Sequence, residues 1–262
     1  MTRPRVSIVT PSLDQAAYLP RTIESVLAQR GDFDLEYLVV DGGSTDGSLE
    51  ILRRYEGRLT ATSGPDAGQA DAVNKGLRAA TGQIIGWVNS DDLLLPGAVQ
   101  AAVEAFRANP AAGWLHGRCR IVDEQDRPIR RWVAAYKDRA CRRHTHERLL
   151  VQNYVSQPTV FWRRALMERV GHLDTSLHYT FDYDLWLRFS ALGPPRFLER
   201  ELAAFRWYPG SKSGAGYVRQ FEEDLAVALR HAPSAWVRAR KRLKTAQIVG
   251  VYRVMDLLAG RR

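Results

Sequence analysis

Short apolar, β-branched runs alternate with stretches of helical spacing along the first 108 residues of this chain. The apolar runs predict buried strands at residues 5–10, 35–40, 58–62 and 83–88. The helical spacing predicts helices over residues 18–29, 49–55, 68–80 and 96–108. Strands that alternate with helices in this way indicate a largely parallel, doubly wound α/β sheet.

The pattern is less regular after residue 108. Further strands are predicted at residues 114–122, 157–163 and 198–207, and a helix at residues 183–192. We expect three parts: a first half over residues 1–108, a second half over residues 109–229 that shares its sheet, and a basic tail over residues 230–262.

The charge is concentrated in that tail. The chain of 262 residues has a net charge of +9, and the tail alone holds nine basic residues and one acidic residue. Trp236, Leu243, Ile248, Tyr252 and Met255 lie among these charges at loosely helical spacing, so the tail is predicted to be a helix. Two interpretations stay open: a helix that packs on the body, or an amphipathic helix that contacts an anionic membrane surface. Nucleic acid is not an expected partner, because no recognition motif accompanies the charge.

Polar clusters follow three of the predicted strands, at residues 11–14, 41–46 and 89–92. Ligands of open α/β sheets bind outside the carboxyl ends of the strands, so these clusters are the candidate site. Asp91 and Asp92 are adjacent carboxylates, and their negative charges repel each other. A divalent cation bound beside them would offset this repulsion. Oxygen ligands suit Mg²⁺ or Mn²⁺. Capping of the helix after Pro96 is the alternative.

Eight segments carry a resemblance to a known family. In the first half they are VSIVTPS, VVDGGSTDG, GQADAVNKG and IGWVNSDDLLL, and in the second half QPTVFWRR, VGHLD, YTFDYDLWL and RWYPGSKS. In this order and spacing the chain resembles a family 2 glycosyltransferase with the GT-A fold, of the bacterial non-processive type. The resemblance covers about residues 5–215.

The resemblance implies roles for individual residues. Asp41 would contact the base, Asp92 would be the direct ligand of Mn²⁺ or Mg²⁺, and Asp91 would lie nearer the ribose and the metal. Arg206 and residues 211–213 would close over the diphosphate. The full set implied for the nucleotide pocket is Pro11, Ser12, Asp14, Asp41, Gly43, Asp66, Gln69, Asp71, Lys75, Asn89, Asp91, Arg206 and Lys212.

The catalytic base implied by the resemblance is Asp182. Two positions depart from the family pattern: Phe181 stands where the family has Glu, and Tyr208 stands where many members have His. Ala203 occupies the place of the Gln in the motif of processive members, so addition of a single sugar is favoured.

The resemblance implies an inverting, metal-dependent transfer from a nucleoside-diphosphate sugar, with UDP favoured, to a glycan or lipid-linked acceptor in cell-surface glycan or polysaccharide assembly. The N-terminus lacks the apolar stretch of a signal peptide, so we expect a cytoplasmic protein, with contact at the inner face of the plasma membrane as an open extension. A scaffold that binds nucleotide sugar without catalysis is the alternative function. A nucleotidyltransferase is disfavoured, because PSLDQAAYLP follows the first strand instead of a basic, Gly-rich loop.

Overall fold

One mixed sheet of eight strands forms the centre of the computed structural model, which describes residues 3–212 and 217–258. In chain order the strands are β1 (Arg5–Ser12), β2 (Asp34–Asp41), β3 (Thr60–Ser63), β4 (Ile84–Trp87), β5 (Leu93–Leu94), β6 (Trp114–Val122), β7 (Phe161–Arg163) and β8 (Arg196–Arg206). The helices are α1 (Leu19–Leu27), α2 (Ser48–Arg53), α3 (Gln69–Ala79), α4 (Ala98–Ala108), α5 (Arg131–Cys141), α6 (His146–Val151), α7 (Arg164–Val170), α8 (Phe181–Leu192), α9 (Tyr217–His231) and α10 (Ala235–Leu258). Ser213, Arg261 and Arg262 lie outside the described residues, as do the side chains of Arg253 and Met255.

The strand order is β3-β2-β1-β4-β7-β6-β8-β5. Strands β1 to β4 are parallel, as the alternation of strands and helices predicted. β7 runs antiparallel to both of its neighbours, and β5 runs antiparallel to β8, which makes the sheet mixed. The doubly wound α/β prediction is therefore confirmed, and both halves of the chain share the sheet.

One predicted strand is shorter than expected. Residues 157–163 form a 3₁₀ turn at Gln157–Thr159 followed by β7 at Phe161–Arg163. Pro158 has no backbone N–H to donate to a neighbouring strand, so pairing begins only after it.

The register of the parallel strands places their carboxyl ends along one edge. Ser12 pairs with Asp41 across β1 and β2, and Asp41 pairs with Ser63 across β2 and β3. Trp87, at the end of β4, pairs with Val9. The three polar clusters of the sequence therefore meet at this edge, as the topology requires.

Apolar side chains cover both faces of the sheet. Trp87, Trp114, Trp162 and Trp186 are all fully buried, and the rings of Trp114 and Trp186 stack with centroids 6.0 Å apart. Trp186 belongs to α8, so this packing fixes the helix that begins at Phe181 against the sheet. The beginning of α8 lies beside the carboxyl edge for that reason.

The C-terminal tail packs on the body through one face of α10. Val237 and Lys241 are buried, and the Lys241 ammonium donates a hydrogen bond to Asp224 of α9. Arg230 and His231, which the prediction placed at the start of the tail, form the last turn of α9. Within the described ranges, no helix combines the length and the apolar character that crossing a membrane requires.

Candidate active site

A cavity of about 880 Å³ opens at the carboxyl edge of the parallel strands. Residues from both halves of the chain line it, and α9 and α10 supply part of its wall. The predicted site residues that line this cavity are Pro11, Ser12, Asp66, Gln69, Asn89, Asp91, Asp182, Arg206 and Lys212. The predicted residues outside its lining are Asp14, Asp41, Gly43, Asp71, Lys75 and Asp92.

Asp41 is fully buried at the end of β2 and holds the loop that follows it. Its carboxylate accepts hydrogen bonds from the backbone N–H groups of Gly43 and Ser44, each at 3.0 Å, and from the Ser63 hydroxyl at 2.7 Å. The Ser44 hydroxyl donates a further bond. Gly43 has a φ of 89°, which favours glycine. Asp41 and Gly43 therefore shape the loop around the cavity, and a contact between Asp41 and the base stays a prediction.

Asp14 joins this loop to the end of β1. Its backbone N–H donates to the Ser44 hydroxyl at 2.8 Å, and its carboxylate accepts from the Thr45 N–H at 2.8 Å. Asp14 has a φ of 49°, a left-handed conformation that Asp tolerates better than most residues. The two loops at the carboxyl edge are thus tied together.

Asp66 faces the cavity from the loop before α3, and Asp71 and Lys75 hold that loop. The Lys75 ammonium lies 3.0 Å from the Asp71 carboxylate and donates to the Pro65 carbonyl at 2.9 Å. Gly42 permits a close approach of the two loops, since a Cβ atom there would lie 2.6 Å from Asp66 Oδ2. Asp71 and Lys75 act here through the loop that carries Asp66.

The Ser12 hydroxyl is a free polar group in this wall. Ser12 is 3% exposed, lines the cavity, and its Oγ has no hydrogen-bond partner among the described residues. Buried hydroxyls are nearly always hydrogen-bonded in folded proteins. The Ser12 hydroxyl is therefore a buried polar group, in a residue of the cavity wall, whose hydrogen-bonding capacity no described residue uses.

Asp91 and Asp92 differ in burial and direction. Asp91 lines the cavity and accepts a hydrogen bond from the Tyr208 hydroxyl at 3.2 Å on one carboxylate oxygen. Asp92 is fully buried, and its Oδ1 accepts from the Arg206 N–H at 2.9 Å. Burial raises the pKa of both carboxyls, and the Asp91 charge raises the pKa of Asp92 further. Asp91 is thus the carboxylate that a ligand in the cavity reaches.

Arg206 is fully buried behind this pair. Its guanidinium donates to the Asp91 carbonyl and to the Asp126 carboxylate, which also pairs with Arg21 at 2.7 Å. The Arg206 carbon Cζ lies 4.8 Å from the centre of the Tyr18 ring. In this arrangement Arg206 holds the Asp91–Asp92 turn, and its contact with a diphosphate stays a prediction.

A chain of hydrogen bonds joins the two halves across the cavity. The Lys212 ammonium donates to Gln69 at 3.2 Å, and the Gln69 amide donates to Asn89 at 2.9 Å. Asn89 donates to Gln157 at 3.2 Å, and Gln157 donates to the Trp87 carbonyl at 2.7 Å. Burial lowers the pKa of Lys212, while the Asp182 charge opposes that shift. This chain holds Lys212 at the cavity and near Asp182.

Asp182 lines the cavity from the first turn of α8. It is half-buried, and its Oδ1 accepts from the Tyr183 N–H at 2.7 Å. Burial raises the pKa of Asp182 to about 6, despite the opposing charges of Lys137 and Lys212. A carboxylate with this pKa is unprotonated at neutral pH and is a stronger base than an ordinary Asp.

Asp184, two residues further on, faces another environment. Its carboxylate accepts from Arg188 Nε at 2.9 Å and lies 2.8 Å from His231 Nε2. Burial alone would raise the pKa of Asp184, but these two partners lower it. Asp184 therefore ties α8 to α9 and is separate from the cavity, which leaves Asp182 as the carboxylate of α8 that faces a ligand.

The far wall of the cavity holds residues that no motif in the sequence indicated. They come from α5, α9 and α10: Trp132, Tyr136, Lys137, Asp224, Lys241 and Lys244. The Lys137 ammonium donates to Ser156 at 3.2 Å, and the Lys244 ammonium donates to the Tyr136 hydroxyl at 3.2 Å. The only signal in the sequence is the density of basic and aromatic residues in these helices.

The donor set at Asp91 fits a hard divalent cation. Among the described residues, no group of three or more His, Cys, Asp or Glu side chains is placed to hold a metal. Mg²⁺ commonly uses one or two protein carboxylates together with substrate phosphates, so one carboxylate facing a ligand cavity is sufficient. The Tyr208 hydroxyl bonds to one of the two Asp91 carboxylate oxygens, Oδ2.

Comparisons with known proteins agree with this architecture. Residues 7–171 match the glycosyl transferase family 2 model. A PGL/p-HBAD biosynthesis glycosyltransferase of Mycobacterium bovis BCG is 31% identical over 194 residues, which cover 72% of this chain and 70% of the relative. Other curated relatives are matched over as little as 39% of their length.

Two solved structures share the fold. One is Staphylococcus aureus TarS 1–349 in complex with UDP-GlcNAc, with a TM-score of 0.69, 18% identity, and coverage of 94% of this chain and 71% of that chain. The other is the mannosyltransferase PcManGT of Pyrobaculum calidifontis with GDP-Man and Mn²⁺, with a TM-score of 0.65, 19% identity, and coverage of 97% and 81%. The family resemblance of the sequence motifs is confirmed, and the chain belongs to glycosyl transferase family 2: it is a glycosyltransferase with the GT-A fold.

Proposed function

We propose that this protein transfers one sugar from a nucleoside-diphosphate sugar to a hydroxyl acceptor, with inversion at the anomeric carbon. The observation that carries the proposal is the placement of Asp91 and Asp182, from opposite halves of the chain, in the wall of one cavity of about 880 Å³. A cavity of this size suits a nucleotide sugar.

The donor would lie along the carboxyl edge of the parallel strands. Ser12 offers an unpaired hydroxyl and Asp66 a carboxylate at the end of the cavity formed by the first half. Asp91 would hold Mn²⁺ or Mg²⁺ together with the diphosphate, and a bound cation would stabilise negative charge on the leaving diphosphate. We assign the ligand role to Asp91 rather than to Asp92, because Asp92 is fully buried and bonded to the Arg206 N–H.

Asp182 would act as the general base. The acceptor hydroxyl oxygen bonds to the anomeric carbon, and its proton passes to the Asp182 carboxylate as it attacks. The bond from the anomeric carbon to the diphosphate oxygen breaks, and its electron pair leaves with the diphosphate. The Lys212 ammonium, held by Gln69, lies where it can neutralise part of the leaving charge.

A UDP-sugar is the favoured donor, and a GDP-sugar is the main alternative, because one fold neighbour was solved with UDP-GlcNAc and the other with GDP-Man and Mn²⁺. The curated relative named for PGL/p-HBAD biosynthesis supports a role in glycolipid or glycan assembly. The cytoplasmic location, and membrane contact through the tail, stay predictions.

The test is release of nucleoside diphosphate from a panel of UDP- and GDP-sugars, with Mn²⁺ and with a chelator, without an added acceptor. Glycosyltransferases can use water slowly in place of the acceptor, so one donor should be hydrolysed in a metal-dependent way. The Asp182→Asn variant should bind the same donor and release no product. Binding without any hydrolysis in the wild-type protein would favour the scaffold alternative.

A further inference from the structure

The outer face of α10 is apolar along its centre and basic along both edges. Trp236 and Leu243 are 69% and 62% exposed, and the exposed small residues Ala239, Ala246 and Gly250 lie on the same face. At 100° per residue these five positions form one stripe about 80° wide along the helix. Arg238 and Arg242 flank it on one side, and Arg240 and Lys244 flank it on the other.

The opposite face of α10 accounts for its packing on the body. Val237, Lys241 and Thr245 are buried there, at 4%, 1% and 8% exposure. The Lys241 charge is neutralised by Asp224, so it takes no part in the outer surface. The apolar stripe is therefore additional to what the fold needs, and nothing in the described part of the chain covers it.

Exposed apolar side chains concentrate around this helix. Of the eight large apolar side chains that are exposed in the described residues, three belong to α10 and two, Trp132 and Tyr136, belong to α5. Lys244 joins the two helices through the Tyr136 hydroxyl at 3.2 Å. An exposed apolar surface of this kind marks a site of interaction.

The charge of the helix identifies the partner. Residues 235–252 contain five basic residues and neither Asp nor Glu. Lys241 and Arg240 are paired with Asp224 and Glu147. Arg238, Arg242 and Lys244 are therefore the charges that the outer face offers to a partner. An apolar stripe edged by Arg and Lys is the pattern of a helix that lies in the interface of an anionic bilayer. We propose that the outer face of α10 docks on an anionic lipid bilayer, with Trp236 and Leu243 inserted and Arg238 and Arg242 at the headgroups.

This docking would orient the cavity. α10 supplies Lys244, Ile248 and Val251 to the cavity wall, so the acceptor end of the cavity would lie next to the bilayer. On the proposed function, this arrangement favours an acceptor that is itself anchored in the membrane. The docking surface itself does not depend on the transfer chemistry.

The experiment is co-sedimentation of the protein with vesicles of phosphatidylcholine, with and without phosphatidylglycerol. Binding should require the anionic lipid and weaken with salt. The double variant Trp236→Ser/Leu243→Ser should bind at least about tenfold more weakly, because it loses the inserted apolar side chains. The double variant Arg238→Gln/Arg242→Gln should bind about 20-fold more weakly and with less salt dependence. Leu192→Ser, which removes another exposed apolar side chain, is the matched control and should bind like the wild type.

Donor hydrolysis measured on the same variants separates this inference from the proposed function, since Trp236 and Leu243 lie outside the cavity lining. Hydrolysis should be unchanged while vesicle binding falls. No binding to anionic vesicles, or equal binding by the serine variant, would overturn the proposal. Binding to duplex DNA that the serine substitutions leave intact, or a dimer that they dissociate, would assign the surface to nucleic acid or to a second copy of the chain.

Discussion

The two ends of the cavity are built in different ways. At the first-half end, carboxylates such as Asp41 and Asp14 follow strand ends and accept hydrogen bonds from backbone N–H groups of neighbouring loops. At the second-half end, Asp182 and Lys241 project from helices. Buried tryptophan and tyrosine side chains hold these helices in position. Loops at strand ends hold the carboxylates of the first end, whereas the packing of helices places the charged groups of the second.

The largest expected effect comes from the second-half end. Asp182→Asn should lower kcat about 1,000-fold, because the variant cannot accept the acceptor proton. Donor binding should persist. Since burial raises the Asp182 pKa to about 6, the charged carboxylate opposes folding above that pH, and the variant should melt about 1 to 3 °C higher. Kinetics, donor titration and thermal unfolding check these three results.

Asp184→Asn is the matched comparison two residues away. It removes the charge that pairs with Arg188 and His231, so it should cost about 2 kcal/mol of stability and lower Tm by about 4 to 8 °C. The kcat at 25 °C should stay within about threefold of the wild type. Equal loss of kcat in both variants would mean that the α8 carboxylates act through packing rather than through proton transfer.

The next effect distinguishes the two adjacent carboxylates of the first-half end. Asp91→Ala should weaken Mn²⁺-dependent nucleotide binding by about tenfold or more, because it removes the carboxylate that faces the cavity. Asp92→Asn should change that affinity little, since burial already favours the neutral side chain there. Calorimetric titration of nucleotide with and without Mn²⁺ checks this. The reverse outcome would restore the metal-ligand role that the family resemblance implied for Asp92.

The pH dependence of turnover sharpens the role of Asp182. A base with a pKa of about 6 is protonated below that pH, so kcat should fall about tenfold per pH unit below pH 6 and level off above about pH 7. Saturating donor concentrations at each pH separate this effect from weaker binding. A flat profile between pH 5 and 8 would exclude Asp182 as the group whose deprotonation limits turnover.

The smallest effect concerns the residue that stands where many family members have His. Tyr208→Phe removes one hydrogen bond to Asp91 at 3.2 Å, worth about 1 kcal/mol, and should weaken Mn²⁺-dependent nucleotide binding about fivefold. Tyr18→Phe is the control, because the Tyr18 hydroxyl donates to Glu124 and its ring packs against Tyr208 with centroids 5.0 Å apart. An equal effect of both changes would indicate a contribution of ring packing only.

Much of the fold could be predicted from the sequence because its signals are local. The four parallel strands follow from apolar runs, and the meeting of Ser12, Asp41 and Asn89 at one edge follows from parallel pairing. The shortened β7 also has a local cause, Pro158, although the apolar run alone predicted a longer strand.

The direction of side chains within the motifs could not be predicted in the same way. Asp91 and Asp92 are identical residues in adjacent positions, and only the packing of β8 places the Arg206 N–H against Asp92. The Asp224–Lys241 pair depends on the contact between α9 and α10, so no spacing in the sequence indicates that Lys241 is buried rather than part of the basic surface.

The central claim is that the carboxyl edge binds a nucleoside diphosphate through a metal held by Asp91. The most direct measurement is thermal unfolding of the wild-type protein and of Asp91→Ala with UDP, GDP, dTDP and CDP, each with and without Mn²⁺. A ligand that binds only the folded state raises Tm. We expect one nucleotide to raise the Tm of the wild type in a Mn²⁺-dependent way and to lose that effect in the variant. No shift with any nucleotide, or the same shift in both proteins, would contradict the claim.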